Sequence, residues 1–408
     1  MNEKLLEYAK MLIQIGLNVQ KGQTLIISCP VDCAYFARMC AKEAYAVGCR
    51  EVVNIWGDDQ CSRMRFLNAE DDVFDAVPLW RRHQRNDYAL ENAAYLAISA
   101  TDPENLKGVD PSRIVRTQQA FGKAFTDFDR LQMDGGFPWC IASVPIPSWA
   151  NKVFPDAEEA QAMEMLWEAI FKTVRISGDG TCVEKWNAHL ATLDKRMHIL
   201  NDLHFKTLHY TNGLGTDLTI ELPPTHHWES GESKTRFGQT FIANIPTEEL
   251  FTAPLKKGIN GVVYASMPLV NDGTIIDGFH MVVKEGKIVE VHAREGEDSL
   301  KAAISVDEGA CYFGEVALVP YDSPISNQKI LFYNTLFDEN ASCHLAFGEA
   351  YPCIEGGQDM TKAEKVAAGL NDSITHVDFM IGTADLSIVG TTQDGRTIPV
   401  FANGNFAI

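Results

Sequence analysis

The sequence lacks the features of membrane-spanning and nucleic-acid-binding proteins. No apolar run approaches the length of a membrane-spanning helix, and the charges spread through residues 1–10 do not resemble a secretory signal. Lysine and arginine total 35 against 55 acidic residues, giving a net charge of −20. Because nucleic-acid binding needs a basic surface, this balance argues against such a partner. We therefore expect a soluble, cytoplasmic protein, and the acidity is compatible with an amine-bearing substrate.

Several short catalytic and cofactor motifs are also missing. The ten cysteines contain no Cys-x-x-Cys pair, which argues against a zinc ribbon or a thioredoxin-type site. No Gly-x-Gly-x-x-Gly or Walker loop follows a predicted strand, so no nucleotide cofactor is expected. Neither Gly-x-Ser-x-Gly nor His-Glu-x-x-His occurs, which argues against a serine hydrolase and against a zincin helix.

The hydrophobic pattern changes character about half-way along the 408 residues, a length that favours two domains. In the first half, helical patterns alternate with short apolar strands, which predicts an open α/β sheet. In the second half, apolar and polar residues alternate between turns, which predicts mostly antiparallel β structure, including one strand over 274–283. We predict an N-terminal α/β domain at 1–190 and a C-terminal metal-binding catalytic domain at 191–408.

The second half contains six side chains that can bind a metal. They lie in four segments: Glu249 in 244–252, Glu315 in 313–320, Glu339 and His344 in 336–344, and His376 and Asp378 in 376–382. Carboxylates and imidazoles in apolar segments need partners once buried, and divalent metals are common partners for such a mixture. Each residue alone is more often a solvated or hydrogen-bonded side chain, so the hypothesis depends on their occurring together.

The number and spacing of these side chains suit two metal ions. His376 and Asp378 are two residues apart in a strand-like segment, so they share one face of the strand. Two imidazoles and four carboxylates exceed the needs of one ion. They suit a pair of ions about 3.5–4 Å apart with bridging carboxylates.

The same four segments resemble the M29 metallopeptidases, the group of aminopeptidase T and aminopeptidase S. More loosely, the resemblance extends over nearly the whole chain. It implies a metal-dependent exopeptidase that releases N-terminal residues from peptides by means of a water activated by two metal ions. It also implies two divalent ions per chain (Zn²⁺, Co²⁺, Mn²⁺ or Mg²⁺), an N-terminal α/β domain with a C-terminal metal domain, and a homodimer.

The resemblance also implies individual roles. The metal ligands would be Glu249, Glu315, Glu339, His344, His376 and Asp378. Tyr351, in Gly348-Glu-Ala-Tyr351, matches the catalytic tyrosine of the family, and Glu315 would be a bridging ligand with a catalytic role. Glu248 competes with its neighbour Glu249, and we favour Glu249 because it directly precedes Leu250-Phe251.

Two alternatives to the peptidase remain open at this stage. The first is a ring-opening dioxygenase with a single iron on a similar scaffold, which would be expected to dispense with part of the carboxylate set. The second is a non-catalytic homologue that binds peptides, which would be expected to have lost a ligand. The sequence retains all six candidate positions.

Overall fold

The computed structural model describes all 408 residues, and the chain forms two compact units. The first consists of Met1–Arg113, Ala120–Ala191 and Gly231–Thr247, and the second of Ile114–Gln119, Thr192–Ser230 and Glu248–Ile408. The predicted domain division at 190/191 stays a prediction. The two units are not continuous in sequence, since 114–119 belongs to the second unit and 231–247 to the first. None of the helices is long and apolar enough to cross a membrane.

The α-helices are concentrated in the first half of the chain. In chain order they are α1 (Asn2–Met11), α2 (Ala34–Ala46), α3 (Asp59–Asn68), α4 (Leu79–Leu90), α5 (Pro111–Ala124), α6 (Thr126–Met133), α7 (Pro147–Val153), α8 (Glu159–Thr173), α9 (Cys182–Leu203), α10 (Glu297–Ala303), α11 (Thr335–Asp338) and α12 (Lys362–Ala367). A 3₁₀ turn, Glu339–Ala341, directly follows α11.

The strands become frequent after α9. In chain order they are β1 (Thr24–Pro30), β2 (Glu51–Gly57), β3 (Ala94–Ser99), β4 (Trp139–Ser143), β5 (Phe205–Thr211), β6 (Asp217–Glu221), β7 (Glu229–Ser230), β8 (Ser233–Lys234), β9 (Thr240–Phe241), β10 (Asn244–Ile245), β11 (Leu250–Thr252), β12 (Ile259–Tyr264), β13 (Leu269–Asn271), β14 (Thr274–Ile276), β15 (His280–Lys284), β16 (Lys287–His292), β17 (Phe313–Leu318), β18 (His344–Gly348), β19 (His376–Met380), β20 (Ser387–Thr392), β21 (Thr397–Ala402) and β22 (Asn405–Phe406).

The first unit contains a five-stranded parallel sheet in the order β10-β4-β3-β1-β2. Its inner strand β1, which lies between β3 and β2, buries Leu25, Ile26 and Ile27 completely, as expected for a parallel strand covered on both faces. The edge strand β10 comes from Asn244–Ile245, far along the chain from the other four. Two residues carry too little periodicity to predict such a strand from sequence.

The second unit contains two large antiparallel sheets and the two-stranded antiparallel sheet β13-β14. The larger has eight strands in the order β16-β15-β12-β6-β5-β20-β21-β22, and the smaller has five in the order β19-β18-β17-β11-β7. Apolar side chains of both sheets, including Leu208 and Ile220 from the larger and Val316 and Leu345 from the smaller, form one buried cluster. The predicted fold class, an α/β sheet domain followed by mostly antiparallel β structure, is confirmed.

One predicted strand is interrupted in the structure. The sequence predicts a single strand over 274–283, whereas the chain forms β14 and β15 with a break between them. Gly278 lies in this break with φ of +59°, a left-handed conformation that cannot continue a strand.

Candidate metal centre

The five-stranded sheet has two chemically different faces. On β17, Val316 and Leu318 are completely buried in the apolar core. Since side chains alternate along a strand, Glu315 and Ala317 lie on the opposite face. We call this opposite face the ligand face. Strand β18 follows the same pattern, because Leu345 and Phe347 enter the core while His344 and Ala346 alternate with them.

Strand register brings distant parts of the sequence together on the ligand face. Ala346 lies opposite Glu315 on one side and opposite Asp378 on the other. The small Ala346 side chain therefore separates two carboxylates and leaves space above the sheet. His376 lies opposite Gly348, which likewise occupies little volume.

Glu249, Glu315 and His344 form the first group of potential ligands. Their ligand atoms all lie within 4.8 Å of one another. His344 Nε2 is 3.1 Å from Glu249 Oε2 and 3.9 Å from Glu315 Oε1. All three side chains are buried, so none is satisfied mainly by water.

Glu315, His376 and Asp378 form the second group, with ligand atoms again within 4.8 Å of one another. His376 Nε2 is 3.0 Å from Glu315 Oε2 and 3.4 Å from Asp378 Oδ1. The two oxygens of Glu315 thus approach different imidazoles, and Glu315 is the member that both groups share.

Both imidazoles are held by main-chain carbonyl groups. His344 Nδ1 is 2.9 Å from the carbonyl oxygen of Glu339, and His376 Nδ1 is 2.8 Å from that of Glu349. A carbonyl oxygen only accepts hydrogen bonds, so each Nδ1 donates. This leaves each Nε2 to face the carboxylates, the arrangement typical of metal-binding histidines.

Glu339 and Glu248 lie beside the two groups and belong to neither. Glu339 Oε1 accepts a hydrogen bond of 3.3 Å from the Asn340 side-chain amide, and the Glu248 main-chain N–H donates to the same amide over 2.7 Å. Asp378 and Glu249 repel the Glu339 carboxylate electrostatically, which places it near the cluster. Of the adjacent pair, Glu249 belongs to the first group and Glu248 to neither.

The accumulated negative charge strongly affects the pKa values of these groups. Burial, partly offset by the His376 hydrogen bond, raises the pKa of Glu315 to about 7. Burial and repulsion by Asp378 raise the pKa of Glu339 well above its usual range. Burial opposes protonation of His344, but the Glu249 hydrogen bond and the negative charges of Glu249, Asp378 and Glu315 together outweigh burial and raise the His344 pKa to about 10.

Tyr351 borders the second group. Its ring centroid is 5.2 Å from that of His376, in an edge-to-face arrangement, and 5.2 Å from that of Phe251. Burial and the negative charge of Glu315 raise the pKa of the phenol well above its usual value. The hydroxyl therefore keeps its proton and is available as a hydrogen-bond donor.

The donor set fits divalent cations. The ion-pair partners of Glu249, Glu315 and Asp378 are the two histidines, with no lysine or arginine in contact. Buried carboxylates in this excess need cationic compensation, and oxygen and imidazole donors suit zinc, cobalt and manganese.

Comparison with known proteins decides the family. The model of the thermophilic metalloprotease family M29 matches residues 1–406. The chain belongs to this family.

Aminopeptidase AmpS of Bacillus subtilis is 44% identical over 100% of this chain and 99% of its own length. The structure of wild-type AmpT from Thermus thermophilus superposes with a TM-score of 0.90 at 36% identity and covers 100% of both chains. The predicted M29 membership is therefore confirmed, and membership of a metalloprotease family implies the use of a divalent metal.

A dioxygenase has a related fold at much greater distance. The structure of 2,5-dihydroxypyridine dioxygenase from Pseudomonas putida KT2440 covers 99% of this M29 chain with a TM-score of 0.50 and 11% identity. Such a likeness concerns the fold alone, so the dioxygenase alternative gains no argument about chemistry from it.

Two residues of the site escaped prediction from the sequence. The Glu349 carbonyl group orients His376, but a main-chain acceptor leaves no mark on residue type. Asn340 contacts both the Glu248 main chain and the Glu339 carboxylate. The sequence signal that could have identified it is an amide directly after the candidate ligand Glu339, and the structure buries this amide completely.

Proposed function

We propose that this M29 chain is an aminopeptidase in which two divalent ions per chain are held by six side chains. The proposed ligands are Glu249, Glu315, Glu339, His344, His376 and Asp378. The broader class, a metal-dependent exopeptidase, follows from the family and from its aminopeptidase relatives. A homodimer and a cytoplasmic location remain predictions beside it.

The observation that carries the two-ion proposal is the shared position of Glu315. Its Oε2 is 3.0 Å from His376 Nε2, and its Oε1 is 3.9 Å from His344 Nε2. Each imidazole has a further carboxylate of its own, Glu249 for His344 and Asp378 for His376. A carboxylate whose oxygens face two separate donor sets is suited to bridging two ions.

Two bound ions would lower the pKa of a water and polarise the scissile carbonyl group. The side chains of the chain itself supply orientation and charge. The carbonyl groups of Glu339 and Glu349 hold the two imidazoles with Nε2 toward the centre. The Tyr351 hydroxyl, protonated because of its raised pKa, would donate a hydrogen bond to the oxyanion that develops on the substrate.

The charge of the site also suits the end of the substrate that an aminopeptidase recognises. Two divalent ions would balance the four carboxylates of the cluster, but the chain as a whole carries a net charge of −20, which favours an amine over a carboxylate near the site. A free N-terminal amine is therefore the substrate group that we expect to lie next to the cluster. Acetylation of that amine should remove the attraction.

The test is reconstitution of metal-free protein with Zn²⁺, Co²⁺, Mn²⁺ or Mg²⁺, followed by assay on a panel of aminoacyl chromogenic substrates. The proposal predicts metal-dependent release of N-terminal residues and no cleavage of N-acetylated versions of the same substrates. Absence of hydrolysis with every metal would favour the non-catalytic peptide-binding homologue. One iron per chain with oxygen consumption would instead favour the dioxygenase.

A further inference from the structure

Asn340 is a completely buried amide between two parts of the candidate metal centre. Its Oδ1 accepts a hydrogen bond of 2.7 Å from the main-chain N–H of Glu248, the residue directly before Glu249. Its Nδ2 donates to the carbonyl oxygen of Leu336 over 3.0 Å and to Glu339 Oε1 over 3.3 Å. One side chain thus connects the segments that carry Glu249 and Glu339.

The chemistry of the position requires an amide. The Glu248 N–H needs an acceptor, whereas the Glu339 carboxylate and the Leu336 carbonyl need donors. This pattern also fixes the orientation of the amide, because the reverse orientation would bring two donors together. An aspartate has the same shape but would place a further negative charge against Glu339, in a site already crowded with carboxylates.

We propose that Asn340 is a positioning residue that sets the distance between Glu249 and Glu339 and thereby controls the affinity for the ion on the Glu249 side. The proposal rests on the two-ion function proposed above. On the opposite side, neither His376 nor Asp378 forms a hydrogen bond with Asn340, and His376 is held by the Glu349 carbonyl group instead. Glu339 is also near Asp378, whereas the link to the Glu248 main chain acts on the Glu249 side alone. Disturbing Asn340 should therefore weaken binding of the ion on the Glu249 side more than binding of the other ion.

The experiment is a calorimetric titration of metal-free protein with Zn²⁺, in the wild type and in the variants N340D and N340S. Loss of an outer hydrogen-bond partner lowers metal affinity by on the order of 10–100-fold. We expect such a loss for one of two ions and a loss of less than about 3-fold for the other, with N340D the more affected. Equal affinities in wild type and variants would overturn the proposal.

Asn201 provides a matched control. Its amide also connects two main-chain groups, because Nδ2 donates to the Trp228 carbonyl oxygen over 3.1 Å and Oδ1 accepts from the Trp228 N–H over 2.7 Å. Asn201 contacts no candidate ligand, so N201D should bind both ions as the wild type does. If N340D and N340S both fail to fold while N201D folds, Asn340 serves folding, and the positioning role is wrong. A wild type that binds fewer than two ions would refute the two-ion function itself, which distinguishes the two failures.

Discussion

His376 donates its Nδ1 proton to the main-chain carbonyl oxygen of Glu349 over 2.8 Å. His376 is a proposed metal ligand, whereas Glu349 takes part in this bond only through its main chain. The bond leaves Nε2 of His376 toward Glu315 and Asp378. The position of the main chain near Glu349 therefore decides how this imidazole is presented.

Replacing Gly348 should test that dependence. Gly348 has φ of +109°, and a Cβ added there would lie 2.0 Å from the Thr375 carbonyl oxygen and 3.2 Å from the His376 Cα. A left-handed conformation alone costs about 1–2 kcal/mol. Gly348→Ala should lower the free energy of unfolding by more than this, because the added Cβ also collides with the Thr375 carbonyl oxygen. It should also weaken metal binding, because His376 must move. Chemical denaturation and metal titration measure the two effects.

Gly22→Ala is the control, because it also places a Cβ on a residue with positive φ but causes no steric clash. Gly22 has φ of +81°, but an added Cβ there would meet nothing within 4 Å. This variant should lose about 1–2 kcal/mol of stability and no metal affinity. Equal effects of the two substitutions on metal binding would contradict the account of Gly348.

Glu315→Gln should weaken both ions, since Glu315 belongs to both ligand groups. Losing a residue that only hydrogen-bonds to a metal ligand typically lowers metal affinity by about 10–100-fold. Losing the ligand Glu315 itself should lower metal affinity by more, and turnover should fall with it. Glu229→Gln is a suitable control, because Glu229 lies on β7 of the same sheet and pairs with His227 at 3.0 Å, outside both groups. Metal analysis after dialysis would count the ions retained, and loss of only one ion would argue against a shared ligand.

Part of this site follows from the sequence and part from the register of strands. The two-residue spacing of His376 and Asp378 predicts that they share a face, and the structure places both in one group. The position of Glu315 opposite Ala346 depends on a register shift between Phe313 and Glu315. Gly314 lies at this shift, where an added Cβ would be 2.0 Å from the Glu349 carbonyl oxygen. Such long-range pairing cannot be derived from local periodicity, so the sequence joins the four segments only through the co-occurrence of their side chains and through the resemblance to a family.

Tyr351→Phe should separate catalysis from metal binding. The variant keeps the ring that packs on His376 and Phe251 and loses only the hydroxyl group. Removing one donor to a developing oxyanion typically lowers kcat by about 10²–10³-fold, and we expect that loss with unchanged metal content. Tyr264→Phe, in which the ring packs on His280 in β15, is the control and should retain full activity. Unchanged kcat in Tyr351→Phe would refute the assigned role.

The free energy of unfolding should decrease in mild acid because of His226. Burial lowers its pKa to about 4, and it donates from Nδ1 to the Pro223 carbonyl oxygen over 2.8 Å. The unfolded chain binds a proton near pH 6.5, so stability is complete above that pH and decreases as the pH falls toward 4, by up to about 3 kcal/mol. His226→Gln should remove this part of the pH dependence in denaturation curves between pH 7 and pH 5, whereas His209→Gln, at an exposed position, should not. Parallel pH profiles for wild type and His226→Gln would contradict the prediction.

The most direct test of the proposed two-ion centre is anomalous diffraction from crystals of zinc-loaded protein, combined with metal analysis of the same preparation. The account predicts two anomalous peaks about 3.5–4 Å apart, with Glu315 between them. His344 and Glu249 should bind one ion, and His376 and Asp378 the other. Glu339 should bind at least one of the two. A single peak with one ion per chain, or two peaks with Glu315 bound to only one of them, would contradict it.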